Sequence, residues 1–202
     1  LIGSIGSGTT STMIALAAST CACSTPDELH LYVVDARGDD GLAALATVAH
    51  CGGVVRLTED ERLHRLLARV AHAIDRRMGL GGVADTEPDI VVMIDGYGSL
   101  RSSLGSIERQ ATFELLQRVV RDGPPAGIGL VIADEGSTAS TMVPIAHRWL
   151  FHLDDPGVAR SIGLRTPPAG PGTPGRLRIL ATGLEAQVAQ GAARLAALPA
   201  SD

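Results

Sequence analysis

The chain has 202 residues, 45% of them hydrophobic, a length that predicts one domain with a sizeable core rather than two. Only 2% is aromatic and the net charge is −5, with arginine as every one of the 17 basic residues and no lysine anywhere. Such a chain lacks the phosphate neutralisation and base stacking that grip nucleic acid, which argues against DNA short of a local arginine face, and no apolar run reaches the ~18–20 residues of a membrane span.

Leu1–Ile2 reads as the stub of a strand, and the stretch LIGSIGSGTTST that it opens matches most of a phosphate-binding loop. Against G-x-x-x-x-G-K-[ST], Gly3 and Gly8 fall in place, Thr10 takes the hydroxyl position, and Thr9 stands where the lysine belongs. Such a loop turns backbone N–H groups inward at the positive end of the following helix, with glycines where a side chain would collide or φ is positive. Gly3, Ser4, Ile5, Gly6, Ser7, Gly8, Thr9 and Thr10 are therefore the candidate residues for the phosphates of ATP or ADP, and Thr10 is a candidate ligand of the accompanying Mg²⁺. Taken alone, the lysine-less motif leaves a plain glycine turn equally open.

Thr9 to about Ser19 reads as the helix after the loop. Cys21, Cys23 and Cys51 are odd in number and lack zinc spacing, so free thiols are expected. Leu29–Asp35 (LHLYVVD) is a strand, and Asp35, Asp39 and Asp40 at its end either line the same edge as the loop or, the preferred reading, form a solvated turn. Glu61–Met78 is an amphipathic helix with Leu63, Leu66, Leu67, Val70 and Ile74 on one face. Its arginines, with His64 and His72, fall on the solvated side. Asp89–Gly96 (DIVVMIDG) has the unbroken apolar character of a strand buried on both faces. A helix follows over about 107–121, then a second buried strand, Gly127–Asp134. Strands of less definition are expected at 147–153 and 176–180, separated by the Pro/Gly segment 165–176. Strands alternating with helices predict an α/β fold: a mostly parallel central sheet flanked by helices.

Asp95 ends its strand about 85 residues after the loop, where P-loop ATPases place the carboxylate that holds Mg²⁺. Thr10 and Asp95 are thus the candidate metal residues of a RecA-like core. The residue after Asp95 is Gly96, which neither accepts a proton nor orients water. With the lysine also missing, two contributions to turnover are lost, each typically worth ~10²–10³ in rate. No catalytic residue is assigned. Glu135, beside Asp134 after the next buried strand, is a candidate base or an exposed acidic turn. Arg118 and Arg121 are candidate arginine fingers toward a neighbouring subunit or ordinary helix-surface charge.

The segments LHLYVVDARGDDGLAALATVAHCGGVV, ERLHRLLARVAHAIDRRM, IVVMIDGYGSLR, RDGPPAGIGLVIAD, HRWLFHLDDPGVARSIGL and PGRLRILATGLEAQVA resemble, in order and over nearly the whole chain, FtsK/SpoIIIE-type ATPase domains. Among these they are similar to the degenerate domains of actinobacterial type VII secretion ATPases. The resemblance implies a single RecA-type P-loop NTPase domain over residues 1–202, one piece of a longer chain that carries several such domains. It further implies partners: other ATPase domains of the same polypeptide, a ring of subunits, and secreted protein substrates. The implied location is cytoplasmic, at the inner face of the membrane through parts of the parent chain, with no insertion of this domain. Nothing matches the DNA-reading module of the translocating relatives. The function expected is a degenerate module that binds nucleotide weakly or without efficient hydrolysis and regulates, supports or docks substrate. Two alternatives stay open: an active DNA translocase completed by neighbours, and a protein-interaction domain with an empty pocket.

Overall fold

The computed structural model describes residues 1–38, 40–81, 87–136, 143, 145–162, 173–191 and 198. Asp39 and most of the expected Pro/Gly loop lie outside them. Four strands, β1 (Leu29–Asp35), β2 (Cys51–Arg56), β3 (Asp89–Asp95) and β4 (Ile128–Ala133), form an all-parallel sheet in the order β2-β1-β3-β4. The helices are α1 (Thr9–Cys21), α2 (Asp60–Gly79), α3 (Tyr97–Ser103), α4 (Gln110–Asp122) and the short α5 (Pro156–Ser161). A second, antiparallel sheet of β5 (Trp149–Leu150), β6 (Arg176–Ile179) and β7 (Glu185–Gln187) follows. Among the described residues no helix is long and apolar enough to cross a membrane.

Strand side chains alternate between faces, and here each face meets its own helical layer. Tyr32, Val34, Val92 and Ile94 join Leu63, Leu67, Val70 and Ile74 of α2 and Leu116 and Val119 of α4 in one core. Leu31, Val33, Met93 and Ala133 join Met13, Ala17 and Ala18 of α1 in the other. Covering on both faces is why β1, β3 and β4 read as unbroken apolar runs. The expected strand at 29–35 is observed residue for residue, and the long amphipathic helix forms as Asp60–Gly79. The helix expected over about 107–121 forms later, at Gln110, after a single 3₁₀ turn over Ile107–Arg109. Elements not expected from the sequence include β2, whose Gly52 and Gly53 break the apolar pattern, and the short α3, α5 and β7.

One of the α2 arginines expected on the solvated side, Arg77, is instead the largest fully buried side chain among the described residues, because its guanidinium finds acceptors inside. Arg77, at the C-terminal end of α2, donates from Nε to Glu87 Oε2 (3.1 Å), from Nη2 to the Pro88 carbonyl (2.7 Å), and from Nη1 to the carbonyls of Ala126 (3.3 Å) and Gly127 (3.2 Å). One planar fork thereby ties the end of α2 to the starts of β3 and β4. Arg77→Met fills similar volume but leaves three main-chain carbonyls without their donor. We expect it to cost about 3 kcal/mol, seen as a lower urea midpoint at unchanged slope.

Candidate functional site

In parallel α/β sheets ligands gather at the carboxyl ends of the strands, and here those ends are level: Asp35 pairs in register with Asp95, and Asp95 with Ala133. The chain's first residues extend this row. Ile2 bridges in parallel to both Asp134 and Leu150, so the expected strand stub is seated between β4 and β5. Main-chain bonds hold it there: Gly3 N to Asp134 O (3.0 Å), Asp134 N to Leu1 O (3.0 Å), Phe151 N to Ile2 O (2.8 Å) and Ser4 N to His152 O (2.9 Å).

From this anchor the loop turns into α1. Ser7 N donates to Ser4 O at 3.0 Å, while Gly6 (φ +79°) and Gly8 (φ +98°) hold left-handed conformations that glycine adopts without penalty. Gly8 is the residue before the helix, and both Thr12 N and Thr12 Oγ1 donate to its carbonyl (2.9 and 2.8 Å). Thr9 and Thr10 open α1, so their amides have no helical carbonyl to serve and lie at the positive end of the helix dipole. The loop interior is tight. A Cβ on Gly3 would stand 2.4 Å from Ser7 Oγ and 2.7 Å from Phe151 Cβ. The Ser7 hydroxyl is buried within it with no hydrogen-bond partner among the described residues. An orphaned hydroxyl in a cradle of glycines suits the oxygens of a phosphate. Thr9 is buried, with its methyl 3.2 Å from the position a Gly3 Cβ would take, and it brings neither reach nor charge to such a ligand.

Sequence reasoning missed the strap over this loop. Gly175 N donates to Ser7 O at 2.8 Å, and a Cβ on Gly8 would be 2.3 Å from that same nitrogen. Nothing in a run of prolines and glycines distinguishes the one glycine that packs on the loop.

Thr10 and Asp95 are brought together as expected: Thr10 Oγ1 donates to Asp95 Oδ2 at 2.7 Å, and the Asp95 side chain is fully buried. The other carboxylate oxygen is taken by a residue that sequence reasoning passed over. Arg37, two residues beyond β1, donates from Nε to Asp95 Oδ1 at 2.7 Å and places Nη1 3.5 Å from Glu135 Oε1. Its one signal is positional, because β1 and β3 are neighbours whose ends are level. Asp35 is buried rather than part of a solvated turn, and its Oδ1 accepts from Gly38 N (2.9 Å), which folds the chain back around Arg37. Asp40 is exposed and pairs with Arg56, as a surface turn residue does. Gly96 has φ +81°, and a Cβ there would lie 3.1 Å from Arg37 Cγ. A side chain at position 96 would crowd the arginine stem and the backbone of residues 36 and 37.

The other candidates fall outside this cluster or at its rim. Glu135 is half exposed beside Arg37, and Asp134 accepts from Gly98 N through Oδ1 (2.9 Å). Arg118 pairs with Asp75 of α2, and Arg121 with Asp122. Both lie near the end of α4 that feeds the start of β4, toward the amino edge of the sheet and away from the loop. His64 Nδ1 meets Thr112 Oγ1 at 3.0 Å. The three cysteines are free thiols, and burial pushes Cys21 up to about 11. No group of three metal-ligating side chains occurs among the described residues.

A glycine loop running from a strand stub into a helix, with a buried carboxylate level beside it, defines an α/β fold of the P-loop ATPase type. No family profile matches the sequence. The type VII secretion system protein EssC of Staphylococcus aureus (strain MRSA252) is 21% identical over 152 residues, which cover 69% of this chain and 10% of that protein. The chain therefore spans about a tenth of the length of that curated relative. ATPases 2 and 3 of Thermomonospora curvata EccC, solved in complex with a signal sequence peptide, align with TM-score 0.73 at 18% identity, covering all of this chain and 43% of that one. The pCW3 conjugation coupling protein TcpA, solved as a monomer with ATPγS, aligns with TM-score 0.66 at 15% identity over 94% of this chain and 59% of its own. The fold is thus that of the FtsK/SpoIIIE-type ATPase domains which the sequence resembles.

The two left-handed glycines separate loop geometry from loop packing. A side chain on Gly6 meets nothing within 4 Å, whereas one on Gly8 strikes the strap. Gly6→Ala should cost about 1 kcal/mol, the left-handed penalty alone, and Gly8→Ala about 3 kcal/mol, compared by urea denaturation.

Proposed function

We propose that the chain is one ATPase-type module, continuous over residues 1–202, of a larger type VII secretion motor, and that it holds a nucleotide without hydrolysing it efficiently. The observation that carries this reading is the loop itself. Its turns, its inward hydroxyl and its first-turn amides form a phosphate cradle, while Thr9 and Gly96 stand where charge and base are needed. Residues Gly3 to Thr10 would hold the phosphates, which leave their charge on the backbone amides in place of a lysine. Thr10 and Asp95 form the flank where a P-loop holds Mg²⁺, and there Arg37 competes with the ion for the carboxylate.

The relatives support the wider assignment. TcpA holds ATPγS on the same fold, and EccC holds a signal sequence peptide on its tandem ATPases. By analogy this module works among other ATPase modules of one polypeptide, within a ring of subunits, as a regulatory, structural or docking part that receives secreted protein substrates. Its place would be the cytoplasmic face of the membrane, reached through other parts of the parent chain. The arrangement of Arg118 and Arg121, each paired within its own chain, gives no support to their acting as fingers in this chain's own site.

Calorimetric titration of the 202-residue chain with ATP or ADP should give a dissociation constant between about 1 μM and 1 mM, with phosphate release no faster than in buffer. Absence of heat at millimolar nucleotide would turn the reading toward a protein-interaction domain. Steady turnover that disappears in Glu135→Gln would make the module an active ATPase instead.

A further inference from the structure

Resting on that nucleotide reading, one feature of the site is not explained by degeneracy. Arg37 is the counter-charge of Asp95, and it is built in rather than incidental. Its side chain is 11% exposed, its stem crosses Gly96 where a Cβ would come within 3.1 Å, and its Nε and the Thr10 hydroxyl take one oxygen each of a carboxylate that is fully buried. The guanidinium neutralises the negative charge that would draw a divalent cation to this flank, and any ion approaching Asp95 meets a positive charge already in contact with it. The same side chain has a donor to spare: Nη2 is buried with no hydrogen-bond partner among the described residues. A buried N–H on the side chain that shares Asp95 with Thr10, the last residue of the loop, calls for an anionic acceptor, and a phosphate oxygen is a strong match for guanidinium.

We propose that Arg37 is the resident cation of this site. It occupies Asp95 in place of Mg²⁺, and its Nη2 donates to a phosphate of the bound nucleotide, so the ligand is a metal-free nucleoside di- or triphosphate. The charge absent at Thr9 re-enters the site from the neighbouring strand, on the metal side of the phosphates.

The test is calorimetric titration of the full 202-residue chain with ADP and with ATP, in excess MgCl₂ and in excess EDTA. The wild type should bind equally in the two conditions, within about twofold. Arg37→Gln exposes the Asp95 carboxylate to the phosphates. It should bind at least about tenfold more weakly in EDTA and recover in Mg²⁺, while Arg37→Lys, which keeps the charge, should stay closer to the wild type. A wild type that loses tenfold or more in EDTA overturns the inference and leaves the nucleotide reading standing. Absence of binding in both conditions overturns the nucleotide reading, and the inference with it. If Arg37→Gln does not fold, the wild-type comparison decides the matter alone.

Discussion

A carboxylate taken wholly out of water has to find its charge and its hydrogen bonds inside the protein, and the layout of this site follows from how Asp95 does so. It sits at the carboxyl end of a strand buried on both faces, where solvent cannot serve it. Thr10 reaches it from the first turn of α1, and Arg37 reaches it from the turn after β1. Each contact constrains a separate part of the chain. The Thr10 contact fixes α1 against the sheet and so fixes the loop that feeds it. The Arg37 contact draws on β1 ending level with β3, on Asp35 folding the chain back through Gly38, and on a glycine at position 96 that leaves the arginine stem uncrowded.

The rest of the molecule holds those parts at one level. The sheet is covered by α1 on one face and by α2, α3 and α4 on the other, with a core built almost entirely of aliphatic side chains. At the opposite end of the sheet Arg77 collects three carbonyls from the two segments that lead into β3 and β4, so one buried arginine organises the amino ends of the strands and another the carboxyl ends. The loop is confined from two further sides. β5 continues the sheet beyond Ile2, and the segment ending at Gly175 lies across Ser7 and Gly8.

The layers of this fold were legible in the sequence because burial on both faces writes itself as unbroken apolar strands, and burial on one face as a helical stripe. Leu29–Asp35 and the α2 stripe are of that kind. The glycine loop and Asp95 were legible because their chemistry restricts residue type. What escaped was set by contacts between distant segments. β2 is an edge strand with two glycines and little apolar pattern. Gly175 is one glycine among several until Gly8 is placed beneath it. Arg37 looked like any arginine in a polar turn, since only the pairing of β1 with β3 brings it to Asp95. Asp35 was misread for the same reason, because it lies among acidic neighbours in sequence but at a buried strand end in space.

These contacts change what the two departures from the P-loop pattern mean together. Thr9 and Gly96 look like separate losses when counted along the chain, one of a cation and one of a base. In space they are connected through Arg37. A side chain at position 96 would crowd the arginine stem, so the glycine there eases the Arg37–Asp95 pair, and Arg37 brings to the site one guanidinium that offsets the Asp95 charge. The guanidinium sits on the carboxylate flank instead of at the loop, and Glu135 lies against its outer side. On the proposed reading, moving a cation from the phosphates to the metal carboxylate would favour holding a charged ligand in place over stabilising the charge that develops as its terminal phosphate departs.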